Sequence, residues 1–146
     1  MGHAIRRARA ASRRGEIPVG AVVVRDGRLM AGGGNRSIVA RDPTAHAEIV
    51  ALRRAGRRAG NHRLTGSTLY VTLEPCLMCL GAMVHARISS LVFGASDPKV
   101  GAISSFGGKG LPSGLNHRFA MHGGVRASEC AALLRDFFRS RRKSKT

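Results

Sequence analysis

The stretch Thr68-Leu69-Tyr70-Val71-Thr72-Leu73-Glu74-Pro75-Cys76-Leu77-Met78-Cys79 decides how the rest of the chain is read. Residues 68–73 are rich in β-branched and apolar side chains and predict a buried strand, which Pro75 stops. A helix is expected over 77–86, with Cys76 and Cys79 at its N-terminus. The pattern repeats on both sides. Upstream, residues 19–24 predict a strand, Asp26-Gly27 a tight hairpin turn, and Leu29-Met30-Ala31 the returning strand before Gly32-Gly33-Gly34. Asp42-Pro43-Thr44 supplies a capping residue and an early proline for a helix through about Ala59. A short amphipathic helix carrying Ile5, Ala8, Ala11 and Ser12 opens the chain and ends at Gly15. Downstream, residues 90–94 predict a strand, 97–116 a glycine-rich loop, 117–121 a short fifth strand, and 128–142 a final helix. Strands alternating with helices point to an α/β layered domain, and no repeat or linker divides residues 1–146.

The chain has 146 residues, 43% of them hydrophobic, enough for one compact domain with a real core. Lys and Arg number 25 against 8 Asp and Glu, a formal charge of +17. Such an excess suits a polyanion, most simply nucleic acid, although solvated arginine-rich faces would give the same count. Three cysteines do not make a disulfide framework, and Cys-x-x-Cys suits metal or redox work in a reducing compartment, so a cytoplasmic location is expected. No apolar run approaches the roughly 18 residues of a membrane span.

The chemistry lies in two short motifs. His46 stands two residues before Glu48, and some thirty residues later comes Pro75-Cys76-Leu77-Met78-Cys79. Imidazole and two thiolates form a three-ligand zinc set with the fourth tetrahedral position left to water, the arrangement of a catalytic rather than a structural site. Cys-x-x-Cys alone would equally suit a redox pair or half of a structural zinc site, and a lone histidine carries little weight. Glu48 separates these readings, because a structural zinc has no use for a non-ligating carboxylate beside it. His-x-Glu followed by Pro-Cys-x-x-Cys is the signature of zinc-dependent nucleobase deaminases, in which the glutamate carries protons. Two residues along a helix turn about 200°, so His46 and Glu48 cannot share a side face. They are expected to meet a metal from the first turn of their helix, facing the start of the cysteine helix.

The likeness extends past these motifs. Glu16-Ile17-Pro18-Val19-Gly20-Ala21-Val22, Asp42 to Ile49, Leu69 to Cys76, Val92-Phe93-Gly94-Ala95, Asn116-His117-Arg118, Glu129-Cys130 and Asp136 to Arg142 resemble bacterial tRNA-specific adenosine deaminases of the cytidine-deaminase superfamily. That resemblance covers nearly the whole chain. It implies a three-layer α/β/α domain with a central five-stranded mixed sheet, a bound Zn2+, a homodimer, and conversion of the wobble adenosine of a tRNA anticodon stem-loop to inosine. It further implies that Asn35 and Ala47 bind the nucleoside beside His46 and Glu48. Asp97 and Lys99 would meet anticodon nucleotides, and Phe138, Arg141 and Arg142 would touch RNA from the last helix. The sequence departs from the pattern at Pro98 and in the glycine-rich stretch 104–114. A deaminase of a free base or nucleoside, of guanine or cytidine type, would carry the same zinc signature on the same fold.

Overall fold

The computed structural model describes residues 1–105 and 111–145. The elements are α1 (Gly2–Arg13), β1 (Gly20–Arg25), β2 (Arg28–Gly34), α2 (Ala47–Ala59), β3 (Ser67–Leu73), α3 (Leu77–Ala86), β4 (Ser90–Ala95), α4 (Ala102–Ser105), β5 (Ala120–His122) and α5 (Ala127–Lys143). The strands form one five-stranded mixed sheet in the order β2-β1-β3-β4-β5. β1 runs antiparallel to both β2 and β3, whereas β3, β4 and β5 are parallel. Parallel neighbours need a crossover, and α3 supplies the one between β3 and β4. The β1–β2 hairpin turns at Asp26 and Gly27, both at positive φ (52° and 70°), as the Asp-Gly pair predicts.

Alternation along β2 shows how the layers stack. A side chain on Gly33 would run into Val50 of α2, whereas one on Gly34 would meet Arg7 and Ala11 of α1. Helices α1 and α2 therefore cover opposite faces of the sheet, with α5 joining α1 and α3 joining α2. The main core lies on the α2–α3 side and includes Val23, Leu69, Val71, Met83, Ile88 and Leu91, all buried. On the other side α1 and α5 press close to the backbone. A Cβ on Gly20 would overlap the Ala4 carbonyl, and one on Gly94 would stand 2.5 Å from Cys130 Sγ. No helix among the described residues is long and apolar enough to cross a membrane.

Four expectations are corrected. The glycines 32–34 belong to β2 rather than following it, because the helices on both faces leave no room for side chains there. The α2 helix starts at Ala47, several residues after the Asp42 cap read from the sequence. Asp42 Oδ1 instead accepts hydrogen bonds from Thr44 N (2.8 Å) and Thr44 Oγ1 (2.7 Å), so the capping chemistry closes a local turn. The loop after β4 contains the short α4 helix, and β5 lies slightly later than expected. Part of the glycine-rich stretch, 106–110, lies outside the described residues.

Candidate active site

Two helix starts face each other across the C-terminal end of β3. His46 is the N-cap of α2 and Cys76 the N-cap of α3, both with extended backbones. Glu48 is thus the second residue of α2 and Cys79 the third of α3, and all four side chains leave their helices end-on. That is the geometry that 200° of separation between His46 and Glu48 requires. His46 Nδ1 lies 3.6 Å from Cys76 Sγ and 3.5 Å from Cys79 Sγ. A sulfur and a nitrogen bound tetrahedrally to one zinc, at about 2.3 Å and about 2.0 Å, stand about 3.5 Å apart. The donor set and its spacing therefore fit a tetrahedral ion, with the three ligating atoms within 4.8 Å of one another.

The electrostatics agree. Hydrogen bonds from Cys79 and His46 hold the Cys76 thiol down to about 4, while that same Cys76 contact and burial push the Cys79 thiol well up. A dication held there would let both sulfurs be thiolates. The Cys76 hydrogen bond raises the His46 pKa against the opposing effect of burial. Glu48 is only 4% exposed, and burial pushes its carboxyl up to about 7. A carboxyl buried beside the donors is placed to accept a proton and hand it on.

These groups form the floor of a cavity of about 550 Å3. Ile17, Val19, Ala47 and Leu73 line its apolar walls, while Asn35, Asp97, Lys99 and Phe138 also border it. The structure thus brings together His46, Ala47, Glu48, Cys76, Asn35, Asp97, Lys99 and Phe138, with Cys79 buried behind the floor. Arg141 and Arg142 are not in the wall. Arg141 instead donates to the Gly15 carbonyl and stacks on Phe137, 4.9 Å from its ring centre. Asp97 also serves its own turn, accepting from Lys99 N and Val100 N at 3.1 and 3.2 Å.

Two functional carboxylates went unread in the sequence. Glu16, fully buried, accepts from Asn35 Nδ2 (3.2 Å), Val39 N (2.7 Å) and Ile38 N (3.4 Å), fixing the Asn35 amide and the turn beyond β2. Glu74, 3% exposed, accepts from Asp97 N (3.1 Å), Ser104 N (2.8 Å) and Ser104 Oγ (2.6 Å), tying the opposite wall to the residue before Pro75-Cys76. Burial raises the Glu74 pKa, but the bonds from Ser104 and Asp97 outweigh it and hold the carboxyl below its usual range. The available signal was scarcity: with only 8 acidic residues in the chain, two placed beside Ile17-Pro18 and Leu73-Pro75 stand out.

A mixed five-stranded sheet with a His-x-Glu helix start facing a Cys-x-x-Cys helix start defines a deaminase of the cytidine-deaminase-like class. The profile of the MafB19-like deaminase family matches residues 1–142. A tRNA-specific adenosine deaminase of Haemophilus influenzae is 53% identical over 146 residues, covering 99% of this chain and 84% of that one. A solved structure from work on A-to-I editing by tRNA:A34 deaminases superposes with a TM-score of 0.85 at 44% identity, covering 92% of this chain and 97% of its own. The guanine deaminase of Nitrosomonas europaea superposes with a TM-score of 0.79 at 27% identity, covering 93% and 81%. The chain belongs to the bacterial tRNA-specific adenosine deaminases.

Proposed function

We propose that this protein deaminates adenosine to inosine at the wobble position of a tRNA anticodon stem-loop, as a cytoplasmic homodimer with one zinc per chain. The observation that carries the chemistry is the Glu48 carboxyl, buried beside three clustered metal donors on the floor of an open cavity. A zinc held by His46, Cys76 and Cys79 would supply the Lewis acidity that makes water nucleophilic at neutral pH. The remaining work falls to the chain's own side chains.

Glu48 takes the proton from the attacking water and returns protons to the purine ring nitrogen and the departing amine, so adenosine and water become inosine and ammonia. Ala47 leaves room for the base above the floor, and the amide of Asn35, held by Glu16, is presented to the nucleoside. Ile17, Val19 and Leu73 exclude bulk water from the bound base. Lys99 and Phe138 at the cavity border, with Arg141 and Arg142 beyond it, suit unstacked nucleotides and their phosphates. The names of the relatives at 53% and 44% identity support RNA over a free base, as does the formal charge of +17. Family resemblance supports the homodimer.

The discriminating experiment offers the purified protein a wobble-adenosine stem-loop, free guanine and cytidine in parallel and measures ammonia. Release from the stem-loop alone is expected. Rapid turnover of guanine or cytidine with an untouched stem-loop would replace this reading with that of a free-base deaminase.

A further inference from the structure

β2 is an edge strand: β1 pairs with one flank and nothing among the described residues pairs with the other. Its second half, Ala31-Gly32-Gly33-Gly34, offers almost no side chain, and guanidinium groups gather there from both faces. From α1, Arg7 Nε lies 3.1 Å from the place a Cβ on Gly32 would take, and from its C-cap an Arg14 terminal nitrogen lies 3.4 Å from the corresponding place on Gly34. From α2, Arg54 donates to the Gly32 carbonyl at 2.8 Å and Arg58 to the Met30 carbonyl at 3.2 Å. Arg36, just past the strand, adds another cation. Burial, then the like charge of Arg36, Arg7 and Arg14, holds the Arg54 guanidinium below its ordinary range.

Capping an unpaired strand edge explains only part of this cluster. Arg54 and Arg58 occupy outward carbonyls and suffice to discourage edge-to-edge pairing. Arg7, Arg14 and Arg36 make no hydrogen bond to the strand with their side chains. Among the described residues the ion pairs engage Arg9, Arg53, Arg126 and Arg139, and none of the arginines at this edge. Each guanidinium has five donors, so the cluster keeps most of its capacity facing solvent while its charges repel one another. An approaching polyanion would relieve that repulsion.

The cluster is also continuous with the cavity. Arg14 precedes Gly15-Glu16-Ile17, Arg36 sits between the cavity residues Asn35 and Ser37, and Arg141 donates to the Gly15 carbonyl. Arg54 lies two turns beyond Ala47 on α2, about 10 Å along the helix axis, and Arg58 about 16 Å. That length is enough to follow several successive phosphates of one strand of a stem whose loop enters the cavity.

Resting on the assignment of an RNA substrate, we propose that the arginines at the β2 edge form a second RNA contact, gripping the phosphate backbone of the stem whose loop delivers the adenosine to Glu48. This contact is independent of base sequence and separate from the residues of the cavity. The test is the double variant Arg7→Gln/Arg14→Gln, both exposed, one on α1 and the other at its C-cap, where glutamine keeps the fold. Binding of a stem-loop with a full stem, of the loop alone as a short oligonucleotide and of polyglutamate is measured across a salt series, together with KM and kcat.

The expected result is a salt dependence of stem-loop binding shallower by about 2 in log–log slope, about 1 per lost phosphate contact. KM should rise for the stem-loop, with kcat held and the loop oligonucleotide unaffected. An unchanged slope and KM, with the parent enzyme still deaminating the stem-loop, would overturn the proposal and leave these arginines as guards of the edge. Weakened binding of polyglutamate with full retention of stem-loop affinity would equally overturn it, in favour of an acidic protein partner. A parent enzyme that deaminates no RNA at all would strike the functional assignment itself, a distinct outcome.

Discussion

Replacing Glu74 by glutamine removes a charge and one acceptor from a buried node that fastens one wall of the cavity. Oε1 accepts from Asp97 N and Ser104 Oγ, and Oε2 from Ser104 N. Whichever way the amide of Glu74→Gln sits, its NH2 group faces a backbone N–H, so at least one donor loses its partner, at a cost of about 1–3 kcal/mol. The bonds that survive lose their charge assistance, adding about 1 kcal/mol, for an expected total of about 2–4 kcal/mol. The parent's stability margin here is also pH-dependent. Because the folded pKa lies below the ordinary 4.5, the stabilisation is fully present above that value and is lost as pH falls through the depressed folded value. Glutamine cannot titrate, so the gap between parent and variant should be full at pH 7 and shrink at acid pH. Urea denaturation at both pH values, with hydrogen exchange at the Asp97 and Ser104 amides, measures this. A difference below about 0.5 kcal/mol at pH 7 with both amides still protected would refute the account of Glu74 as the pin of this wall.

Four further outcomes follow from the same geometry. Glu48→Ala should abolish turnover while metal analysis still finds one zinc per chain; loss of zinc in that variant would contradict its role as a proton carrier. Cys76→Ala should lose the zinc, since only two ligands remain, and atomic absorption after dialysis checks this. Gly94→Ala should cost about 1–3 kcal/mol in thermal or urea unfolding, because the new methyl would stand 2.5 Å from Cys130 Sγ and 2.7 Å from the Thr72 carbonyl. Glu16→Gln should raise KM for RNA more than it lowers kcat, as the Asn35 amide loses its fixed orientation; equal KM for parent and variant would count against that positioning role.

Much of the architecture was legible in local sequence. The β3 strand, Pro75 and the α3 helix form where their pattern dictates, and Asp26-Gly27 makes the expected hairpin. The gathering of His46, Cys76 and Cys79, with Glu48 buried beside them, was foreshadowed because metal chemistry prescribes residue types at short spacings. What was not legible depends on distant partners. Gly32, Gly33 and Gly34 extend β2 because α1 and Val50 crowd its faces, which no window around Gly33 reveals. Asp42 and Thr44 satisfy the composition of a helix start yet spend it on their own turn. Glu16 and Glu74 take their partners from 19 to 30 residues away, so their roles as wall pins emerge only in three dimensions.

The most direct test of the central claim incubates the zinc-loaded protein with a tRNA anticodon stem-loop bearing adenosine at the wobble position and sequences the product. Conversion of that adenosine to inosine, with other adenosines unchanged and no conversion by Glu48→Ala, is the predicted result. An unmodified wobble adenosine under conditions where the protein is folded, zinc-loaded and bound to the stem-loop would contradict it.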